Sequence, residues 1–486
     1  MPPLKICQVT AELAPYAKTG GLGDAVAGLA RMLGNAGADV RIFLPLYAPI
    51  PRQGIEMKPV DFIRDVAVPL AGGEVRFSAY VTRLPASVVD VYLIHCPTLY
   101  HQDAVYAAGW DEHLRFGLLA RAALECCQRM GWSPDIVHSH DWHAALAPVY
   151  LKTVYAWDRL FADTRSVLTL HNLGYHGVFG GHTVGELGLA PFAGSLFQDD
   201  LAADQLSFLK TGILHADVLT TVSETYAQEI LTPEHGFGLD PLLRARADHL
   251  VGIVNGVDYG EWSPESDPHL PFRYTRDDLT GKRKMKTELL ARTGLVGDER
   301  TPVLGMVTRL TPQKGIDLCA EALPALLAAR DMRLVVLGSG EPRYEELFLR
   351  LQAAFPGKAW YYRGYNEPLA HWIEAGADVF LMPSLYEPCG LNQMYSLRYG
   401  TPPVVRKTGG LADTVELYDW ERASGTGFVF DHFTSAGLAW AIDYALGTYN
   451  YPLAWRALQA RGMAQDFSWD VQGRKYLELF EQVRGG

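Results

Sequence analysis

The 486-residue sequence has only six cysteines, and no two of them have the CxxC spacing of a zinc site. Most lie inside apolar patterns typical of buried strands or helices, so we expect free thiols, as in a cytosolic protein. No apolar run is long enough to cross a bilayer, and the first residues lack the charged start and long apolar core of a secretory signal. We therefore predict a cytoplasmic protein without a membrane partner.

The chain also lacks an excess of positive charge. Its 43 Lys and Arg residues are outnumbered by 55 Asp and Glu residues, which gives a net charge of −12. No basic patch interrupts this balance, so we expect no nucleic-acid partner. Neither half has a GxGxxG turn after its first strand with an acidic residue about twenty positions later, which counts against a nicotinamide-dependent dehydrogenase.

What the sequence does contain is a regular alternation of short apolar segments and helical patterns. Strands that alternate with helices at this spacing predict a parallel, doubly wound sheet. The alternation occurs in both halves, so we predict an α/β fold with two Rossmann-like domains and a deep cleft between them. Residues 259–300, which are rich in Pro, Asp, Arg and Lys, are interpreted as the domain junction.

A nine-residue segment occurs twice. KTGGLGDAV at 18–26 returns as KTGGLADTV at 407–415, with seven of the nine residues identical. Each copy follows a predicted strand and precedes a predicted helix, where glycines allow close backbone approach and the helix N-terminus favours an anion. A tight turn without a ligand explains the glycines equally well, but not the matching lysine and aspartate. The candidate binding residues from the two copies are Lys18, Gly20, Gly21, Thr408, Gly409 and Gly410.

A polar cluster follows a predicted strand of the first half. Three histidines and two aspartates lie within residues 135–143, which raises the hypothesis of a zinc site. Strand alternation and the turn would scatter these side chains, so a polar sugar-binding edge explains them equally well and we expect no metal. Asp141 in this cluster and His171, after the next strand, lie at equivalent strand ends and are candidate catalytic residues.

The second half carries two cations in one strand–helix loop, Arg309 and Lys314. With the backbone amides of Gly338 and Gly340, and those of the second KTGG turn, they would form a cradle for an anion such as a diphosphate. Solvated surface cations are the plainer interpretation of such a pair. Two cations next to a leaving phosphate also make a metal unnecessary.

Two further residues lie at predicted strand ends in this half. Glu387 belongs to an acidic loop after the buried strand at 378–382, and Tyr365 ends another strand. Tyr365 could stack on a nucleobase, or it could be a partly buried structural tyrosine. These residues predict a nucleotide-diphosphate site, but they do not identify the group that is transferred.

Seven motifs, spread over nearly the whole chain, resemble those of bacterial glycogen synthases and the related plant starch synthases. In chain order they are KTGGLGD at 18–24, HSHDWHA at 138–144, TLHNLGYHG at 169–177, VNGVDYGEW at 254–262, TRLTPQKG at 308–315, GYNEPLAH at 364–371 and YEPCGLNQMYSLRYGTPPVVRKTGGLADTV at 386–415.

This resemblance implies a GT-B fold and a retaining, metal-independent glycosyltransferase. The enzyme would move glucose from ADP-glucose to the non-reducing end of an α-1,4-glucan and release ADP, with no other cofactor. The implied domains are residues 1–256, on the acceptor side, and 257–466, on the donor side, with a helix at 467–486 that packs back on the first. The alternative is a retaining enzyme that uses UDP-glucose or another acceptor.

The resemblance also implies roles for single residues. In the first domain, Lys18 would lie near the donor's phosphates and sugar. Asp141 and His171 would line the sugar site, with His171 contacting the glucose beside the bond that breaks. The presence of Lys18, Arg309, Lys314 and Glu387 counts against a glucan-binding protein that has lost catalysis.

In the second domain, Arg309 and Lys314 would neutralise the diphosphate, and Glu387 would hold the glucose hydroxyls. The amides around Thr408 and Gly409 would hold phosphate, and Tyr365 would lie near the adenine. Many related retaining transferases have a second Glu eight positions after the first. Here that position is Tyr395, so the ribose contact usually assigned to the second Glu is open.

Overall fold

The computed structural model describes residues 2–485 except Ala107, Ala108 and Trp110. The chain divides into two compact units, one of Met1–Gly256 with Trp469–Gly486 and one of Val257–Ser468. Each unit has a sheet of its own with buried apolar side chains packed on it. Within the described ranges, no helix combines the length and the apolarity that crossing a bilayer requires.

The first unit is built on a sheet that is parallel at its centre and antiparallel at one edge. Its strands are β1 (Lys5–Val9), β2 (Asp39–Pro45), β3 (Lys58–Pro59), β4 (Val66–Leu70), β5 (Gly73–Arg83), β6 (Asp90–His95), β7 (Ile136–His140), β8 (Arg165–Leu170), β9 (Val178–Gly180), β10 (Gln205–Ser207), β11 (Val218–Thr221) and β12 (Leu250–Gly252). The order is β12-β11-β8-β7-β1-β2-β6-β5-β3, with β4 paired to β5, while β9 and β10 form a separate hairpin.

Helices accompany these strands, as expected for parallel strands that need crossover connections. They are α1 (Gly21–Asn35), α2 (Pro49–Arg52), α3 (Pro97–Tyr100), α4 (Glu112–Arg129), α5 (Asp141–Ala144), α6 (Leu146–Lys152), α7 (Thr183–Glu186), α8 (Gln198–Ala202), α9 (Phe208–His215), α10 (Glu224–Glu229) and α11 (Asp240–Ala245).

The second unit has a sheet of six parallel strands in the order β15-β14-β13-β16-β17-β18. The strands are β13 (Val303–Val307), β14 (Arg333–Gly338), β15 (Ala359–Arg363), β16 (Val379–Met382), β17 (Pro403–Arg406) and β18 (Phe428–Phe430). The helices are α12 (Thr280–Thr293), α13 (Ile316–Ala329), α14 (Pro342–Ala354), α15 (Glu367–Gly376), α16 (Asn392–Arg398), α17 (Gly409–Thr414), α18 (Ser435–Tyr449) and α19 (Pro452–Met463).

The last helix, α20 (Trp469–Gly485), belongs to the first unit and packs on α1. Gly28 of α1 lies directly under Trp469, and a Cβ at Gly28 would collide with the indole ring. Further along α20, Phe480 packs edge-on against His138 of β7, with ring centroids 5.2 Å apart. The amphipathic face of this helix is therefore buried against α1 and the sheet.

The predicted α/β class with two Rossmann-like units is confirmed. Residues 259–300, interpreted as the domain junction, begin three residues after the boundary of the first unit at Gly256, and they contain α12, which the sequence did not predict. Two lysines lie on the buried face of this helix, so its sequence lacks the apolar periodicity that would predict a helix. Lys286 Nζ lies 2.7 Å from Asp378 Oδ2. Lys282 Nζ donates hydrogen bonds to a backbone carbonyl at 3.0 Å and to a hydroxyl oxygen at 2.6 Å. Burial lowers the pKa of Lys282 to about 7.

Each sheet has a point at which the chain reverses its direction of winding. In the second unit the strand order is that of the doubly wound nucleotide-binding sheet, and the reversal lies between β13 and β16. In the first unit it lies between β1 and β7. Ligands of open α/β sheets bind outside the carboxyl ends of the strands at such points. The loops after β1, β7, β13 and β16 are therefore where each unit is expected to hold a ligand.

Candidate active site

The loop after β1 carries the first KTGG turn, and Glu12 holds this turn in place. The buried Glu12 carboxylate accepts hydrogen bonds from the Thr19 amide and hydroxyl, both at 2.7 Å, and from the Gly20 amide at 3.2 Å. A fourth hydrogen bond comes from the phenol of Tyr106. A carboxylate that accepts this many hydrogen bonds fixes the backbone of the turn before α1 begins at Gly21.

Lys18 lies at the start of this turn with its side chain 38% exposed. Its Nζ is 2.8 Å from Asp24 Oδ1 in the first turn of α1, so the lysine and aspartate shared by the two KTGG copies form an ion pair here. Gly20 is the N-cap residue of α1 and has an extended backbone. The first unit thus places an exposed ammonium group beside a helix N-terminus, both of which favour an anion.

Asp141 follows β7 directly, at the reversal point of the first sheet. Its backbone has φ of +55°, a left-handed conformation in which Asp and Asn are the most common non-glycine residues. Its buried Oδ1 accepts a hydrogen bond from the His171 amide at 2.7 Å, which ties the loops after β7 and β8 together. Burial raises the pKa of Asp141 to about 7, although the two backbone amides it contacts act in the opposite direction.

His171 lies beside Asp141, and its ring is connected to a second histidine. Its Nε2 is 3.0 Å from Nδ1 of His140, which is fully buried. Burial lowers the pKa of His171 to about 3, so the ring is neutral near pH 7. A neutral imidazole beside a carboxyl group offers a sugar both a donor and an acceptor. Asp141 and His171, predicted separately from two strand ends, are therefore adjacent.

The histidines of the HSHDWH segment turn to different partners. His138 Nε2 lies 2.7 Å from the Thr169 hydroxyl, whereas the His143 ring stacks on Tyr106 with centroids 4.8 Å apart. His140 faces His171. Strand alternation scatters these rings as predicted, and the segment contributes one histidine to the site, His140, which pairs with His171.

In the second unit, the loops after β13 and β16 meet at the reversal point through an ion pair. Lys314 Nζ is 2.5 Å from Glu387 Oε2, and Ser384 Oγ donates to the same oxygen at 2.9 Å. Both charged side chains are largely buried. An ammonium group has three donors, and Glu387 occupies one of them, which leaves donors for a phosphate. Lys314 and Glu387, predicted separately from two loops, therefore form one ion pair.

Glycine is required where these two loops touch. Gly315, directly after Lys314, has φ of +69°, and a Cβ there would collide with the carbonyl oxygen of Pro383. The Leu385 amide also donates to the Gln313 carbonyl at 2.8 Å. The loop that carries Lys314 is thus fixed against the loop that carries Glu387. Arg309 and Tyr365, the latter 66% exposed, lie at the ends of β13 and β15 with solvent-accessible side chains.

The second KTGG turn is packed against the Glu387 loop. Thr408 is the buried N-cap residue of α17, and Gly409 has φ of +42°. A Cβ at Gly409 would collide with the Glu387 carbonyl oxygen. The Gly410 amide donates to that carbonyl at 3.1 Å, so it holds the Glu387 loop instead of lining the anion cradle as predicted. The two KTGG turns therefore differ in their support, which is a carboxylate in the first and backbone packing in the second.

The sequence predicted that the backbone amides of Gly338 and Gly340 contribute to the anion cradle, and for Gly340 this prediction is wrong. Its amide donates to Glu345 Oε1 at 3.1 Å. A Cβ at Gly338 or Gly340 would collide with the carbonyl oxygens of Thr308 or Leu310. The glycines are needed because the loops after β13 and β14 pack backbone to backbone.

Two family models match the chain, one for each half. The model described as the starch synthase catalytic domain matches residues 5–245, and the one described as glycosyl transferases group 1 matches residues 291–457. The glycogen synthase of Anaeromyxobacter dehalogenans (strain 2CP-C) is 46% identical over 99% of this chain and 100% of that protein. The chain belongs to the glycogen synthase family.

Other comparisons agree. The glycogen synthase of Treponema denticola is 43% identical over 98% of both chains. The solved catalytic domain of starch synthase IV from Arabidopsis thaliana, bound to ADP and acarbose, superposes with a TM-score of 0.92 at 33% identity over the full length of both chains. The resemblance drawn from the seven motifs is confirmed, and the chain is a glycosyltransferase of the glycogen synthase family with the GT-B fold.

The sequence of this glycogen synthase family member did not reveal a role for Glu12. Ala11 and Glu12 look like an ordinary start of a loop, because the hydrogen bonds that give Glu12 its role form only in the folded chain. Glu12 is buried and holds both Thr19 and Gly20. A buried acidic residue is rare without such partners, so Glu12 is a positioning residue for the Lys18 turn.

The place of the second Glu of related transferases is taken by Tyr395, whose ring stacks on Trp262. The ring planes are 3° apart with centroids separated by 4.1 Å. Trp262 in turn stacks on His371, at 3.7 Å and 13°. A carboxylate at position 395 would place a charge against the indole face. The aromatic stack therefore explains why a tyrosine fits at position 395 of this chain.

The buried histidines of the first unit predict a loss of stability in mild acid. Burial lowers the pKa of His138 and His143 to about 3 and that of His140 well below its usual value. The unfolded chain binds protons at these sites near pH 6.5, so acidification below this pH favours unfolding by up to about 1.4 kcal/mol per pH unit for each histidine. The raised pKa of Asp141 opposes this between about pH 7 and 4, because its contribution grows as pH falls.

We therefore expect the free energy of unfolding to fall from pH 6.5 to 5, as measured by urea titration followed by tryptophan fluorescence. His143→Phe, which keeps the aromatic packing and removes one titrating ring, should flatten this slope by roughly a quarter, since His138, His140, His143 and His171 all contribute. His432→Gln is the matched control, because His432 is exposed. An unchanged slope in His143→Phe would contradict the assignment.

Proposed function

We propose that the chain transfers glucose from ADP-glucose to the non-reducing end of an α-1,4-glucan, with retention of the anomeric configuration and release of ADP. The Lys314–Glu387 pair at the reversal point of the second sheet carries this proposal. It joins a cation suited to a diphosphate with a carboxylate suited to sugar hydroxyls, 2.5 Å apart. A donor that contains both groups, a nucleoside diphosphate sugar, matches this pair.

The diphosphate of the donor binds to Arg309, to Lys314 and to the backbone around Thr408 and Gly409. The Thr408 residue caps α17, so a phosphate there also meets the positive end of the helix dipole. Charge develops on the leaving phosphate as the C1–O bond breaks, and two fixed cations stabilise it. The exposed ring of Tyr365 stacks on the base.

Adenine as the base is supported by the starch synthase IV structure, which is bound to ADP and matches this chain over its full length. Acarbose in that structure also supports a glucan as the acceptor. Lys18, Gly20 and Gly21 in the first unit form a second anion-favouring turn, which we assign to the donor phosphates and sugar. No cofactor beyond the nucleotide sugar and no metal takes part in this scheme.

Asp141 and His171 line the glucose site in this proposal, with His171 contacting the sugar beside the bond that breaks. The acceptor hydroxyl attacks C1 on the face that the diphosphate leaves, and its proton passes to the leaving phosphate oxygen. Glucose is thus transferred through an oxocarbenium-like state without a covalent intermediate on a side chain. A glycosyl group trapped on Asp141 would indicate double displacement instead.

The donor is tested by measuring nucleotide release from ADP-glucose and UDP-glucose with glycogen present. We expect kcat/KM to be higher for ADP-glucose, and release to depend on glycogen. Tyr365→Ala should raise the KM for ADP-glucose several-fold with a smaller effect on kcat, because base stacking is worth about 1–3 kcal/mol. Faster release from UDP-glucose would favour the alternative donor, and release without any glucan would contradict the acceptor.

A cytoplasmic location is also part of the proposal. None of the six cysteines is in a disulfide, and all six are buried. Proteins that function in reducing compartments keep their thiols in this state.

A further inference from the structure

We propose that Glu261, Glu367 and His371 of the second unit bind a divalent transition-metal ion. A ring nitrogen of His371 and one carboxylate oxygen from each glutamate lie within 4.8 Å of one another. Both glutamates are exposed, whereas His371 is completely buried, so the histidine forms the floor of the site and the carboxylates form its entrance. The two carboxylates are therefore the ligands that face solvent.

The orientation of His371 is the observation that separates this site from an ordinary acidic cluster. Its Nδ1 lies 2.7 Å from Asp267 Oδ2, and Asp267 also accepts a hydrogen bond from the Tyr399 hydroxyl. The buried Nε2 has no hydrogen-bond partner in the part of the chain that the structure describes. Buried polar atoms are rarely left in this state, so an unseen partner is the simplest account.

Metal-binding histidines usually have a carboxylate next to the ring nitrogen that does not bind the metal. The ligating imidazole donates its other N–H to a carboxylate, which fixes the tautomer and raises the basicity of the ligating nitrogen. Asp267 supplies that carboxylate for His371. Trp262 stacks on the ring at 3.7 Å and prevents it from rotating. The free electron pair of Nε2 is thus held in one direction.

The ligand set also limits which ion fits. One imidazole nitrogen and two carboxylate oxygens suit Zn²⁺ or Mn²⁺, whereas Mg²⁺ and Ca²⁺ prefer oxygen alone. The two carboxylates neutralise a divalent charge. Glu367 and His371 are four residues apart on α15, so both side chains lie on one face of the helix. Glu261 adds the third ligand from the segment that begins the second unit.

Such an ion would act as a structural clamp. It would join the segment at Glu261 to the start of α15, a helix that begins two residues after Tyr365. The site includes none of the residues assigned to glucose transfer. Its occupancy is therefore expected to change the thermal stability of the protein rather than the chemistry of transfer.

The test uses the full chain after treatment with a chelator, in buffer free of nucleotide and phosphate. Titration calorimetry with Zn²⁺ should show one binding site in the wild type. In Glu367→Gln and in Glu261→Gln this site should be lost, or its affinity should fall at least about 10-fold, because even replacing a residue that only supports a metal ligand has an effect of this size. Zn²⁺ should raise the melting temperature of the wild type by more than that of either variant at the same concentration. Both substitutions are at exposed positions and should leave the fold intact.

Glu288→Gln, an exposed change on α12 in the same unit, is the matched control and should bind Zn²⁺ like the wild type. Copper(II) in place of zinc reports the histidine directly, because an electron paramagnetic resonance spectrum should show coupling to one nitrogen in the wild type. Equal Zn²⁺ affinity in wild type and both glutamate variants would overturn the site. A spectrum without nitrogen coupling would overturn His371 as a ligand and with it the proposal.

Discussion

Replacing Lys314 with alanine should lower kcat for glucose transfer by about 10²–10³-fold, the usual cost of removing one donor to a developing oxyanion. Lys314 lies at the reversal point of the second sheet, and among the described residues Glu387, at 2.5 Å, occupies one of its three donors. The others can reach the leaving phosphate. Steady-state release of ADP from ADP-glucose in the presence of glycogen measures the change.

The same substitution leaves the Glu387 carboxylate without its cation, and the loss of stability must be separated from the loss of turnover. Breaking a buried ion pair from one side costs about 3–5 kcal/mol. Lys314→Ala should therefore also lower the melting temperature, whereas the double variant Lys314→Ala with Glu387→Gln should recover part of that loss without recovering activity. Recovery of turnover in the double variant would show that Lys314 acts through the fold alone.

Lys284→Ala provides the matched control for charge. Lys284 is an exposed lysine on α12 of the same unit, so its removal changes the net charge equally. We expect wild-type kcat for this variant. Glu387→Ala should lose turnover as severely as Lys314→Ala, because it removes the carboxylate assigned to the glucose hydroxyls. Wild-type turnover in either variant would contradict the assignment of the pair.

Much of this fold was predictable from local pattern. The parallel strands are short apolar runs and the helices after them are strongly patterned, so strand ends could be placed and polar side chains at those ends recognised. Asp141, Arg309 and Glu387 were found in this way. Their positions beside the reversal points of the two sheets follow from strand order, which the sequence did not reveal by itself.

What escaped prediction depends on pairing between distant residues. Helix α12 was missed because Lys286 is buried by an ion pair with Asp378, far along the chain. Glu12 was missed because its role comes from accepting hydrogen bonds across a turn. The Gly340 amide was predicted to face an anion, but Glu345 accepts its hydrogen bond. In each case the sequence shows the residue type, and the partner exists only after folding.

Asp141→Asn should lower kcat by about 10²-fold or more with little change in the fold. The backbone of Asp141 has φ of +55°, and asparagine is the residue that replaces aspartate there with least strain. The asparagine side-chain oxygen can still accept the hydrogen bond from the His171 amide, which measures 2.7 Å in the wild type. The variant therefore removes the ionisable group while it preserves the loop, and its activity is measured with ADP-glucose and glycogen.

The pH dependence of the same reaction distinguishes a charge effect from a geometric one. Because burial raises the pKa of Asp141 to about 7, the wild type should gain activity as pH rises through 7, where the carboxylate forms. Asp141→Asn should lose this rise. Asp141→Ala serves as the geometric control, since alanine in a left-handed conformation costs about 1–2 kcal/mol and should lower the melting temperature further. If Asp141→Asn kept the wild-type pH profile, another group would have to titrate near pH 7, and the role of the Asp141 charge in glucose transfer would be refuted.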